Sequence, residues 1–215
     1  MNYLPMIGKG VIETLEMTLV STLFAYLFGL PVGIILVVTR EDGIVPNRIV
    51  NSVIGTIVNI FRSIPFLILL VVLIPFTRFL TGSSLGTVAT MVPLSVGAIP
   101  IVARMVESSL REVGGGIIEA AKSMGATPFQ IVTQFLLPEA VPSLILGVSI
   151  NLATILGYSA MAGCIGGGGL GAIALNYGYY RYQTDVLLVT VAILIIIVQI
   201  FQETGIKLSI KKKHS

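Results

Sequence analysis

Charge is scarce in this 215-residue chain: Asp, Glu, Lys and Arg make up 11% of it, against 55% apolar residues. That balance excludes an ordinary soluble domain. Cysteine occurs once, at Cys164, so an internal disulfide and a cysteine-based metal motif are both excluded, and Cys164 reads as a small buried apolar residue. The one histidine, His214, stands in a basic tail and reads as solvated. The glycine run Gly166 to Gly169, with Gly171, is not followed by Gly-Lys-Ser/Thr. It is therefore no phosphate loop but a turn or a place of close helix approach. Nor do the apolar runs hold paired carboxylates, or Ser with His or Lys, which an intramembrane enzyme would need. Asp185 and Glu139 read as capping or interfacial charges. A basic cluster ahead of the first apolar run is also missing, and Glu13 and Glu16 intervene, so that run reads as a retained span rather than a cleaved leader.

What the chain does have is long apolar runs. They follow no one-faced helical pattern and are long enough to cross a bilayer. The reading is an all-α, polytopic membrane protein with about five transmembrane helices in a single domain, residues 1–215. The spans fall at about 17–38, 53–76, 85–105, 141–161 and 186–201. Pro31 between Gly29 and Gly33 predicts a kink in the first. Arg62, Ser63 and Pro65 make the second expensive for a lipid-facing helix, so Arg62 is expected to face protein, water or headgroups. Small residues Ser95, Gly97, Ala98 and Ala103 mark the third as interior. The pairs Arg104–Ser108 and Glu107–Arg111 stand at i,i+4 spacing and extend that helix out of the membrane. Tyr177 to Tyr182 is an aromatic cluster of the membrane–water boundary.

Five spans put the two ends on opposite sides. With the C-terminus inside, the inner cations are Arg40, Arg48, Arg104, Arg111, Lys122, Lys207, Lys211, Lys212 and Lys213. The outer ones are Lys9, Arg78 and Arg181, with Arg62 left in a span, so nine against three favours an outside N-terminus and a cytoplasmic C-terminus.

Between the third and fourth spans lies EAAKSMGATPFQIVTQFLLP, within a hinge of about 117–138. It reads as two short helices set at an angle. Glu119 to Met124 is good helix material, Gly125 supplies the left-handed residue that ends it, and Thr127 followed by Pro128 starts the next as N-cap and first position. The second helix is expected to stop near Pro138.

Glu119-Ala120-Ala121, three residues, Gly125, nine residues, Phe135, one residue and Leu137-Pro138 resemble the signature of permease subunits of bacterial ABC importers, with Phe135 where that family usually has Ile. Further segments resemble its methionine-import branch: Asn59 to Phe66, Ile74 to Arg78, Ala103 to Glu107, Met124 to Pro128 and Gly157 to Met161. The resemblance implies a non-catalytic subunit in the bacterial cytoplasmic membrane, importing methionine (the L form and also the D form) by alternating access. It implies a second copy of the chain, two cytoplasmic ATPase subunits and an extracytoplasmic substrate-binding protein. Lipid surrounds it and nucleic acid has no part. No cofactor is expected on this chain; ATP and Mg belong to the ATPase. Glu119, Ala120, Ala121, Met124, Gly125, Ala126, Thr127 and Pro128 would form the ATPase contact. Arg62, Tyr158, Ser159 and Met161 are the expected translocation-path residues, and no metal ligand is expected. A permease of the same architecture for another amino acid or peptide, and a passive channel or exporter component, are the competing readings.

Overall fold

The computed structural model describes residues 3–213, so the reading of His214 lies outside the described residues. Helices account for the architecture: α1 (Leu4–Val38), α2 (Arg48–Ser63), α3 (Phe66–Val72), α4 (Ile74–Thr81), α5 (Thr87–Arg111), α6 (Gly115–Ser123), α7 (Pro128–Gln130), α8 (Leu137–Ala162), α9 (Gly169–Ile173) and α10 (Thr184–Lys213). A wide turn of π-helix, Ile131–Leu136, joins α7 to α8 without a break.

Helices α1, α5, α8 with its preceding turns, and α10 are each long and apolar enough to cross a bilayer. α2 and α3 reach the length and hydropathy of a fifth crossing only together, as a pair bent by 101°. The span expected over 53–76 is thus broken. The cause is local: Pro65 has no N–H to give the ladder and pushes Ile64 into an extended conformation, φ −80° and ψ 122°.

Contacts along the helices fix their directions. Gly29 packs on Val102 and Gly33 on Val106, so α1 and α5 run the same way. Ser143 donates to Ser109 at 3.0 Å and Asn151 to the Tyr26 hydroxyl at 3.1 Å, which sets α8 antiparallel to both. Ser209 on α10 donates to the Pro142 carbonyl at 2.8 Å, reversing direction once more. The crossings alternate, and the two ends of the described chain lie on opposite faces.

Close approach holds this bundle together. A Cβ at Gly33 would lie 2.6 Å from the Ala103 carbonyl oxygen and 2.7 Å from Val106 Cβ, so the two backbones meet as small residues allow in membranes. Buried hydroxyls are satisfied one turn back: Thr14, Thr18 and Thr22 donate to the carbonyls of Gly10, Thr14 and Thr18. Large apolar side chains such as Leu19, Leu23, Leu27, Ile195 and Ile196 cover the outside, as lipid contact requires.

Three further expectations change. α1 begins at Leu4, well ahead of the expected span start near Met17, with Pro5 in its first turn; Glu13 inside it accepts from the Gly169 amide at 2.8 Å and faces Lys9. The hinge's second helix does not stop near Pro138. The helix runs on through Pro138, and the wide π turn over Ile131–Leu136 just before it accommodates the missing N–H. Cys164 is exposed, not buried, on the short turn that follows α8. The glycine run packs closely: Leu170 donates its amide to Thr14 at 2.9 Å, and Gly86 to the Gly166 carbonyl at 2.9 Å.

Candidate functional site

Two features stand apart from the packed bundle: the hinge between α5 and α8, and a break within the second crossing.

The hinge is fixed by local hydrogen bonds. Ala126 donates to the Ala121 carbonyl and Gly125 to that of Lys122, at 3.1 and 3.0 Å. With Gly125 at φ +80°, this is a Schellman C-cap, and the positive φ is what glycine is there for. Thr127 then caps α7 through a reciprocal box. Its amide donates to Gln130 Oε1 at 2.8 Å, and its hydroxyl oxygen accepts from the Gln130 amide at 3.4 Å. Ala121 is fully buried against the bundle, and Ile131, Val132 and Leu136 of the wide turn are buried with it. These anchor the elbow.

Exposure sorts the expected contact residues. Glu119, Ala120, Met124, Gly125, Thr127 and Pro128 are exposed and Ala126 is half-buried. Ala121 shows no surface, so its position makes it an anchor rather than a contact. Sequence reasoning passed over Phe129, which is 76% exposed, beside Met124 at 69%. Its signal was there: Phe129 stands about 200° round the helix from buried Ile131.

At the break, Phe66 of α3 stacks on Tyr158 of α8, ring centroids 4.3 Å apart and planes within 2°. They wall a pocket of about 200 Å³ with Phe61, Arg62, Ile64, Leu69, Gly97 and Ile101. Arg62 also lines a second, charged recess of about 710 Å³ with Asn59, Arg104, Glu107, Ser108, Arg111 and Glu112. There Arg104 pairs with Glu107 at i,i+3, rather than with Ser108 as expected from spacing. Of the four expected path residues, Arg62 and Tyr158 thus come together. Ser159 does not join them: it is buried and donates to the Leu156 carbonyl at 2.7 Å. Met161, nearly a turn further along α8 than Tyr158, is exposed and does not line the pocket.

On the opposite side, Arg181 lies over the Tyr177 ring, 4.5 Å from its centroid, beside exposed Tyr179, Tyr180 and Tyr182.

A multi-pass helical bundle whose crossing helix breaks beside a charged recess defines a membrane transport subunit. Residues 29–203 match the family described as binding-protein-dependent transport system inner membrane component, and the chain belongs to that family. The probable D-methionine transport system permease protein MetI of Vibrio cholerae is 49% identical over 193 residues, covering 90% of this chain and 86% of its own. The D-methionine transport system permease protein MetI of Escherichia coli K12 is 56% identical over 155 residues, 72% of this chain and 71% of its own. A solved inward-facing structure of the MetNI methionine ABC transporter overlays with a TM-score of 0.96 at 48% identity, covering 99% of each chain. An amino acid ABC transporter solved with histidines, 20% identical with a TM-score of 0.79 and covering 99% of this chain and 95% of its own, shares the fold.

Proposed function

We propose that this chain is the membrane-spanning subunit of an ATP-driven importer of methionine in the bacterial cytoplasmic membrane. Two copies would enclose the path, since five crossings in one chain leave the broken helix and the exposed face of α8 without a facing wall. Two ATPase subunits beneath would bind ATP and Mg, and an extracytoplasmic binding protein would deliver the amino acid. The excess of Lys and Arg on the hinge side supports an N-terminus outside and a C-terminus in the cytoplasm.

The hinge carries this reading. A doubly capped elbow, anchored by Ala121 and presenting Met124 and Phe129, is a rigid shape with an apolar tip outside the packed bundle. That suits docking into a soluble subunit. Glu119, Ala120, Met124, Gly125, Ala126, Thr127 and Pro128 form the coupling surface, with Ala121 holding it to the spans. ATP favours the outward-facing arrangement and hydrolysis resets it, because a ligand shifts an equilibrium only by its differential affinity for the two states. Arg62 and Tyr158 line the path that opens.

Gly125→Val tests the coupling. In vesicles holding the assembled transporter and loaded binding protein, the variant should insert and bind its ATPase while ATP hydrolysis no longer drives methionine uptake. Normal coupled uptake by the variant rejects the elbow's role.

A further inference from the structure

We propose that Arg62 is the carboxylate-binding residue of a substrate subsite within the membrane, with Phe66 and Tyr158 forming the wall for an apolar amino-acid side chain. This rests on the importer reading above and adds to it the place where the substrate is held in transit.

Depth is the first observation. α2 runs antiparallel to α5: Gly55 and Asn59 meet Arg104, Val58 packs with Ala103, and the pocket beside Arg62 reaches Ile101 and Gly97. Arg62 therefore stands near the middle of α5, a helix long enough to cross the bilayer. It is about 21 Å along the axis from Arg48, at 1.5 Å per residue. A guanidinium at such depth is costly, and where one is kept it faces water, a partner or a transported group.

Its partners are the second observation. Arg104, a few residues along the same interface, is held by Glu107, the Gly55 carbonyl and Asn59. Among the described residues, no ion pair or side-chain hydrogen bond holds Arg62. Its planar fork of donors is free to take a carboxylate through two parallel bonds, a geometry an ammonium cannot reproduce.

The surroundings supply the third. Arg62 lines both the charged recess and the aromatic pocket, so one guanidinium borders the wet approach and the apolar wall. An amino acid with its carboxylate on Arg62 would lay its side chain along the stacked Phe66 and Tyr158 and against Leu69 and Ile101. Gly97 keeps room for that arrangement, since a Cβ there would come within 3.2 Å of Leu69 and 3.4 Å of Phe66. A flexible, soft thioether suits such a wall, because sulfur–aromatic contact is favourable.

The test uses the transporter co-purified with its ATPase subunits, in a Cys164→Ser background, since Cys164 is the one native cysteine. Ile101→Cys places a thiol on the pocket, and its reaction with a small methanethiosulfonate is timed. Methionine should slow labelling at least fivefold, and methionine methyl ester, which has the same side chain and no carboxylate, should leave it unchanged. Arg62→Gln should abolish the protection, measured against that variant's own unliganded labelling rate because loss of a nearby cation itself slows the thiol, and Arg62→Lys should retain part of it. Leu69→Cys repeats the measurement should Ile101→Cys fail to assemble. Equal protection by the ester, protection that survives Arg62→Gln, or no protection at all overturns the proposal. ATP-driven uptake by the unmodified assembly is measured alongside. Methionine uptake without pocket protection rejects the subsite alone; no uptake of methionine rejects the importer reading.

Discussion

Arg104 on α5 donates to the Asn59 side chain of α2 at 2.7 Å, and to the Gly55 carbonyl at 3.1 Å. Its other amine is held by Glu107, whose side chain is only 13% exposed. One guanidinium therefore ties the bent crossing to the central helix just beside the charged recess. Arg104→Gln would leave Glu107 largely buried and unpaired. Breaking a buried pair costs about 3–5 kcal/mol when fully dry; partial exposure here lowers that to about 2–3 kcal/mol. The melting temperature of the purified chain in detergent should fall by roughly 5–10 °C. Adding Glu107→Gln should restore part of the loss, since the stranded charge is gone. Unchanged melting in Arg104→Gln would show that the linkage does not support the fold.

The α1–α5 seam gives a second expectation. At Gly33 an added Cβ meets the Ala103 carbonyl oxygen at 2.6 Å, and that is backbone, which cannot swing aside. Gly33→Val should cost about 1–3 kcal/mol or more by forcing the helices apart. Gly8, on the same helix, has nothing within 4 Å of its added Cβ, and Gly8→Ala should be tolerated. Detergent-solubilised yield and thermal unfolding of the two variants compare them directly. Similar loss in both would mean that α1 and α5 do not meet at Gly33.

Thr127 gives a third. Its side chain is exposed, and its measurable work is the cap: with Gln130 it closes both ends of the box at the start of α7. Thr127→Ala should cost about 1 kcal/mol, confined to that first turn. Thr127→Ser should cost little. Hydrogen exchange of the Phe129 to Val132 amides is the readout, with faster exchange in the Ala variant only. Faster exchange spread across α8 would show that the cap governs more than its own helix.

The elbow was legible because helix ends are written locally. Gly125 needs its positive φ whatever surrounds it, and Thr127-Pro128 starts a helix on its own chemistry. Pro138 misled for the same local reason: proline usually ends a helix, and only the wide turn from Ile131 to Leu136 lets this one run on through it. The break at Ile64-Pro65 was visible as an expensive cluster around Arg62, yet the apolar run continues past it and conceals a bend of 101°. Nothing in the sequence pairs Phe66 with Tyr158. Their stacking depends on that bend bringing α3 against α8, a matter of tertiary packing. Ser159, one residue beyond Tyr158, is turned away from the pocket because a helix rotates each residue through about 100°, while Met161 lies nearly a full turn further along α8, past the pocket lining.

Phe129 offers the sharpest separation of docking from folding. It is 76% exposed, and Met124 across the elbow is 69% exposed. Large apolar side chains on the outward face of a capped turn contribute little to the chain's own core, so Phe129→Ala should melt within about 1 °C of the parent. Aromatic side chains that fill a partner's pocket are a different matter. Truncating one at the centre of an interface commonly costs 2 kcal/mol or more, which is about a 30-fold loss of affinity. The binding of purified ATPase subunit to the detergent-solubilised chain should therefore weaken by at least that factor in Phe129→Ala, with Met124→Ala weakened less. Gln130→Ala, which disturbs the cap but not the apolar tip, separates elbow shape from apolar contact: its loss of binding should be smaller than that of Phe129→Ala. Should Phe129→Ala bind the ATPase as tightly as the parent, the tip of the elbow is not where the two subunits meet.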